Sequence, residues 1–402
     1  MSQYFVGRQP IFDRSLNSIG YELLFRASAQ TTMAGPLDGD MATSRVLTNS
    51  IAEFGLDSLV GEKLAFFNLT EKFLCNPELI SFLPADRVVL EILEDIPVTD
   101  EVISGATRLV RDGYSVALDD FVYTPDHQPL LKLAKLIKYD FSETPLDALE
   151  ERLKIDHQAG RKVLVERIET AAEYDKLQRL GVDYFQGYFF AKPATLSTTG
   201  IPSNKITLIQ LLALVNDPDT QLEEIVSVLS KDVGLVVKAL RYVNSAGSGT
   251  SVKIESIQQA AALLGRNTLR NWVSVMAMAG MDDKPLQLVN MALYRAKFCE
   301  LMAEQKNMPN ADACFTVGML SLLDVMTDTP QQDVLDQLTI SDEIKAALLG
   351  EDNAMNKLLR QAVALERWSD LSANELEPLP ESAQECYRQA ILWADESMSL
   401  AD

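Results

Sequence analysis

Asn68, Glu91, Asp119, Asp120, Lys138, Glu166 and Gln186 stand at the ends of short apolar runs, in order AFFN, VVLE, VALDD, LIK, VLVE and YFQ. Gathered at one place, such residues would do the chemistry of a hard cation. Three of the carboxylates, with Asn68, form an all-oxygen ligand set suited to Mg²⁺ or Mn²⁺ rather than zinc. The adjacent Asp119 and Asp120 could bridge two ions, as phosphoester hydrolysis by two metals requires. Lys138 could orient or deprotonate the attacking water, because a lysine buried among charges is readily tuned. The plainer reading of Lys138 is a structural ion pair. His127 and His157 are the sole histidines, expected in loop or helix-surface settings. Ser-His-Asp catalysis and His-rich metal centres are therefore poor readings.

The elements that must position these residues follow from the same runs. Continuous apolar segments of this length are what parallel strands covered on both faces look like. Between them lie helix-like stretches, DEVISGATRLVRDG and TPLDALEERLKIDHQAG, each ending in Gly before the next strand. Strand and helix alternate through the first half, which argues for a TIM-like (β/α)₈ barrel. In such a barrel the strands' carboxyl ends converge on one face. Any single polar residue at a strand end could merely turn to solvent; six such ends in succession are poorly explained that way.

The strand pattern stops at AKPATLSTTGIPSNK, where Pro, Ser, Thr and Gly accumulate. We place the boundary near Ser197, giving a barrel over 1–196 and an all-α domain over 197–402. That second half reads as amphipathic helices, among them ITLIQLLALVN, LEEIVSVLSKD, LVVKALRYVNS, LRNWVSVMAMAG and NMALYRAKFCELMAEQK. The acidic segment ELEPLPESAQE reads as solvated surface. Two domains also suit 402 residues, since single cores stop growing at about 250–300.

The first half resembles the EAL-domain cyclic di-GMP phosphodiesterases. The signature Glu-x-Leu-x-Arg is present as Glu22, Leu24 and Arg26 in YELLFR, with Leu23 replacing the usual Ala. FFNLT, LEILE with Glu91 and Glu94, ALDDF, LIKYD with Lys138 and Asp140, VERIET with Glu166 and Glu169 at an AEGVET-like segment, and FQGYFFAKP follow in the family's order. The resemblance implies that Glu22, Asn68, Glu91, Asp119, Asp120, Glu166 and Gln186 hold two metals, Mg²⁺ or Mn²⁺, and their waters. It implies catalytic roles for Lys138, Glu22 and Asp120, with substrate contacts from Arg26 and Gln186. Glu94 and Glu169 would steady the loop after the fourth strand. The reaction implied is hydrolysis of one phosphodiester of cyclic di-GMP to linear pGpG. One departure stands out: after the paired aspartates the family carries an FGxGxSS-like loop, and this chain reads DDFVYTPDHQPLL, without either glycine.

The second half resembles the HDOD family, relatives of HD-type metal phosphohydrolases, through KALRYVNSAGSGTSVKIESIQQAAALLG. Where an active HD enzyme has a His-Asp pair, GMLSLLD places Ser321 and Leu322, and this half contains no histidine. A catalytically silent regulatory or partner-binding module is the reading left. The alternative for the whole chain is a barrel that binds cyclic di-GMP or a protein without turnover.

Composition narrows the partners. A net charge of -22 repels polyanions, so a nucleic acid polymer is a poor partner. A small phosphorylated ligand stays open, because carboxylates holding Mg²⁺ can invert the local charge. The resemblance implies cyclic di-GMP as that ligand, with an unidentified protein on the HDOD half and a second copy of the chain as further expected partners. No segment is apolar enough to insert in a membrane and no secretory signal opens the chain. A cytoplasmic protein with reduced thiols at Cys75, Cys299, Cys314 and Cys386 is expected.

Overall fold

The computed structural model describes residues 4–27, 55–188, 203–217, 220–230, 256–279, 285–338, 340–366 and 382–399. The chain divides into two compact units, Met1–Lys192 with Ala364–Gln384, and Pro193–Val363 with Glu385–Asp402. The expected boundary at Ser197 lies outside the described residues.

The first unit is a closed barrel of eight strands in chain order. These are β1 (Tyr4–Phe12), β2 (Ser18–Ala27), β3 (Leu64–Leu69), β4 (Val88–Ile92), β5 (Ser115–Leu118), β6 (Leu136–Asp140), β7 (Lys162–Ile168) and β8 (Tyr184–Gly187). From β2 to β8 neighbours run parallel, but β1 runs antiparallel to both β2 and β8. The turn around Asp13–Asn17 explains this, because a hairpin joins consecutive strands without a crossover helix.

Period-two alternation sets what lines the barrel. Ile11, Phe66, Val89, Ala117, Leu136 and Leu164 form one buried layer, with Tyr184 packed against it. Two residues further along each parallel strand come Asn68, Glu91, Asp119, Lys138, Glu166 and Gln186, facing the same way. The apolar layer thus floors the polar one.

The outer helices carry their own start and stop signals. The helix Asp100–Arg111 opens with Thr99 accepting from the Val102 N–H at 3.2 Å, carries Asp100 and Glu101 in its first turn, and ends in Arg108 and Arg111. The helix Ala171–Leu180 has a capping box between Thr170 and Glu173. Gly113 and Gly160 close the two helices singled out above with positive φ.

The second unit is helical throughout its described residues. Ser203–Asn216 and Leu222–Leu229 match two expected helices, while the one expected over LVVKALRYVNS lies outside the described residues. Ile257–Ala279 is interrupted at Gly265, whose φ of 71° is not helical. Leu286–Gln305 is buried along most of its length and packs on Ala311–Leu320. A Cβ on Gly318 would lie 2.4 Å from the backbone of Arg295 and Ala296, so only glycine permits that approach. The last helix, Ser382–Ser399, buries Ala383, Cys386, Tyr387, Ala390 and Ile391. The acidic run expected to be solvated surface therefore ends in a core helix; its residues 375–381 lie outside those described.

Candidate active site

Lys138 is at the centre of the polar layer and wholly buried. Its Nζ lies 2.6 Å from Asp119 Oδ1, 3.0 Å from Glu91 Oε1, 3.3 Å from Glu22 Oε2 and 3.7 Å from Glu166 Oε2. These four carboxylates come from four different strands or strand ends, which only barrel closure brings together. Glu22 is held from both sides: Asn68 Nδ2 donates to Oε1 at 3.1 Å and Gln186 Nε2 donates to Oε2 at 2.7 Å. Gln186 also donates to Gln9 Oε1 at 3.1 Å.

One ammonium does not satisfy this much acid. Asn68 Oδ1, both oxygens of Glu91, Asp119 Oδ1, Asp120 Oδ1, Glu166 Oε1 and Gln186 Oε1 are buried without a hydrogen-bond partner. Glu91 Oε1 and Asp119 Oδ1 nonetheless stand beside the Lys138 charge, at 3.0 and 2.6 Å. Burial raises the pKa of Glu91 and Glu166 well above the usual carboxylate range; Lys138 opposes the rise, and the neighbouring carboxylates add to it. Asp120 is pushed up to about 6, first by burial and then by Asp119. Glu22 is the exception: burial raises it, but Lys138, Gln186 and Asn68 together hold it below the ordinary value. Burial alone would lower Lys138, yet Glu166, Glu22, Glu91 and Asp119 hold it well above the lysine range.

Glu22, Glu91 and Asp119 can offer oxygens within 4.8 Å of one another, and so can Asp119, Asp120 and Glu166. Five carboxylates, Glu22, Glu91, Asp119, Asp120 and Glu166, stand against the single charge of Lys138. Fully ionised they leave four negative charges, the charge of two divalent cations. The unpartnered oxygens and the all-oxygen donor set therefore fit such ions.

The backbone is shaped for the site at two strand ends. Asp119 N–H donates to Ile92 O at 2.9 Å and Phe121 N–H to Lys138 O at 3.1 Å, so pairing continues past β5 while Asp120 between them takes φ 45°. Arg167, after Glu166, takes φ 55°, where β7 shifts register against β8. Gly187, φ 145°, pairs with Ile168; a Cβ there would lie 2.2 Å from Ile168 O. Non-glycine residues with positive φ are uncommon and collect where function over-determines the backbone.

The loop without glycines has its own construction. Phe121 is buried edge-on to His127 and Tyr139, with centroids 5.5 and 6.4 Å away. Thr124 Oγ1 bonds His127 Nδ1 at 2.8 Å, and the Arg152 guanidinium lies 4.8 Å from the Tyr123 ring. Beyond Asp120 no loop residue up to Leu131 takes a positive φ. Val122, Pro125 and Pro129 accept that path, which the glycine version need not follow.

Three expected residues, Arg26, Glu94 and Glu169, are not among the side chains in the cluster contacts given above. Arg26 lies on β2 opposite Phe5, but its side chain lies outside what is described. Glu94 and Glu169 are exposed, on the segments after β4 and β7. Gln9, Thr70, Asp140 and Arg167 stand outside the expected set of site residues. Gln9 pairs with Glu22 across the antiparallel β1, and Thr70 Oγ1 is buried unpartnered beside the β3 end. Asp140 repeats the inward parity of Lys138, a signal legible in LIKYD.

In the helical unit, Ser321 Oγ accepts from Arg295 Nη1 at 3.2 Å and donates to Gly318 O at 2.7 Å. Leu322 is buried. Among the described residues, the clusters of carboxylate, His and Cys ligands lie in the barrel alone.

A barrel with a buried carboxylate cluster, joined to a helical domain, defines the class: the chain belongs to the proteins that couple an EAL domain to an HDOD domain. The EAL family model matches residues 9–193 and the HDOD model residues 201–340. Over 98% of its length the chain is 33% identical to 98% of an uncharacterised Bacillus subtilis protein, YuxH. Over 93% it is 32% identical to 88% of the Vibrio cholerae cyclic di-GMP phosphodiesterase CdgJ. An EAL domain protein structure from Listeria monocytogenes, 21% identical, matches 46% of this chain and 87% of its own at a TM-score of 0.38.

Proposed function

We propose that this protein is a phosphodiesterase that hydrolyses cyclic di-GMP to linear pGpG, with the HDOD domain regulatory. The observation that carries this reading is the buried Lys138 ammonium among Glu22, Glu91, Asp119 and Glu166, in a cluster rich in unpartnered oxygens. Glu22, Asn68, Glu91 and Asp119 would hold one Mg²⁺ or Mn²⁺, and Asp119, Asp120 and Glu166 a second. Such ions supply positive charge to the phosphoryl oxygens and lower the pKa of the attacking water. As an ammonium, Lys138 donates hydrogen bonds and fixes where that water stands. Asn68 and Gln186 lock Glu22 so that its charge does not swing away from the centre. Arg26 would meet a phosphate, and Glu94 and Glu169 would steady the loop over the site.

The HDOD domain lacks the histidines of a metal phosphohydrolase, so its part is binding, to a protein partner or a second copy of the chain. No described helix is long and apolar enough to cross a membrane, and we place the protein in the cytoplasm. Titrating the metal-stripped protein with Mn²⁺ by calorimetry tests the site without any assay of turnover. Two bound ions per chain support the reading, and no binding above the level of a Glu22→Ala, Asp119→Ala double variant refutes it.

A further inference from the structure

Arg167 is an arginine where the backbone favours glycine. It follows Glu166 at the β7 end with φ 55°, in the segment VERIET whose AEGVET-like counterpart has glycine there. Its backbone is strained for a side chain of this length, yet the side chain is not idle. Nη1 lies 2.9 Å from Asp140 Oδ2, and Asp140 is itself nearly buried and locked, its Oδ1 accepting from the Ser142 N–H at 2.7 Å and Oγ at 2.6 Å. Among the described residues Asp140 is the one ion-pair partner of this guanidinium, whose side chain remains 57% exposed. Its charge is close enough to be felt by Asp120 and Glu166 as well as by Asp140.

These facts place a guanidinium beside the acidic layer, tethered to Asp140, with more than half of its side chain exposed. A purely structural ion pair needs neither the strained backbone nor the exposed side chain, and Asp140 is already satisfied on its other oxygen by Ser142. Elsewhere in the cluster every inward group is acidic or amide except Lys138, which is buried below. With two divalent cations balancing the carboxylates, Arg167 is a further positive group at this mouth for a dianionic nucleotide to meet.

We infer that Arg167 is a substrate-binding residue, donating charge-assisted hydrogen bonds to a non-bridging phosphate oxygen of the cyclic dinucleotide, held in place by Asp140. This rests on the reading of the site as a cyclic di-GMP phosphodiesterase. A planar, always charged guanidinium suits phosphate oxygens better than an ammonium does. The group sits beside the scissile centre rather than in it, so its loss should weaken binding more than chemistry.

The test compares wild type, Arg167→Gly, Arg167→Lys and the distant control Arg111→Ala, using steady-state kinetics on cyclic di-GMP with Mn²⁺, equilibrium binding of cyclic di-GMP with Ca²⁺, and thermal melting. Arg167→Gly relieves the positive φ, so it should fold with an undiminished melting temperature. We expect its KM and Kd to rise about tenfold, the loss of one charge-assisted hydrogen bond, while kcat changes less than about threefold. Arg167→Lys should recover part of the KM, and Arg111→Ala should match wild type. Equal KM and Kd in wild type and Arg167→Gly would overturn the inference and leave the phosphodiesterase reading standing. A fall in kcat and melting temperature with unchanged Kd would also overturn it, in favour of a structural clamp. A wild type that neither binds nor hydrolyses cyclic di-GMP would overturn both.

Discussion

Replacing Lys138 by Met removes the one buried cation from a cluster that has little else to balance it. Glu22, Glu91 and Asp119 lie within 3.3 Å of Nζ, and all three are nearly inaccessible. Deleting one partner of a buried ion pair costs about 3–5 kcal/mol, because the charge left behind keeps its desolvation penalty. The carboxylates can relieve part of this by taking up protons, and Glu91 and Glu166 are already raised toward that state by burial. The penalty should therefore be largest at pH 8 and smaller at pH 6. A divalent cation at about a hundred times its Kd should return about 2.7 kcal/mol. Trp272 and Trp393 belong to the other compact unit and none of the three tryptophans is on a barrel strand, so tryptophan fluorescence does not report the strands directly. Hydrogen exchange of peptides covering β4 to β7 reports it directly, and about 3–5 kcal/mol corresponds to about two to four orders of magnitude in exchange rate. If these strands in the Lys138→Met variant exchanged as slowly as wild type in EDTA at pH 8, the ammonium would not be what holds the cluster together.

Glu22→Ala and Asp119→Ala should each abolish turnover and weaken Mn²⁺ binding, since each removes an anionic ligand; full activity in either would remove the basis of the site. Grafting an FGTGYSS-like loop between Asp120 and Leu130 should raise kcat more than it changes KM, provided circular dichroism shows the barrel intact; no gain would refute a rate penalty from Val122 and the prolines. Asp183 accepts from the Val163 N–H at 3.0 Å, Lys162 Nζ at 2.7 Å and His157 Nε2 at 2.8 Å. Burial raises its pKa, but these partners prevail and hold it below the ordinary value. Its stabilisation is thus present above an unfolded pKa of about 3.9 and lost as pH falls through the lower folded value. Asp183→Asn should lose about 1 kcal/mol at pH 7, after discounting for partial exposure, with the gap to wild type closing on acid titration below about pH 4; a gap independent of pH would refute the ionic account.

Most of the acidic layer was legible because strand chemistry is periodic. Phe66 and Asn68, Val89 and Glu91, Leu136 and Lys138, Leu164 and Glu166 are each two residues apart, so burying the first of a pair aims the second at the same axis. Gln9 escaped that rule because β1 runs the other way, which puts its site residue before Ile11 rather than after it. Asp120 could be named but not oriented, and Arg167 was not named at all, since a positive φ at a non-glycine residue leaves no mark in composition. In the helical half, the proline-rich acidic run hid the helix Ser382–Ser399. Its small buried residues, Ala383, Ala390 and Ala394, carry a weaker hydrophobic signal than the leucines upstream.

The central claim is that the barrel turns over its substrate rather than merely holding it. Incubating the purified full-length chain with cyclic di-GMP and Mn²⁺, and separating the products by liquid chromatography, decides this. Stoichiometric linear pGpG is the expected product, suppressed by EDTA and absent with Glu22→Ala. Bound but uncleaved cyclic di-GMP at saturating Mn²⁺ would contradict the claim.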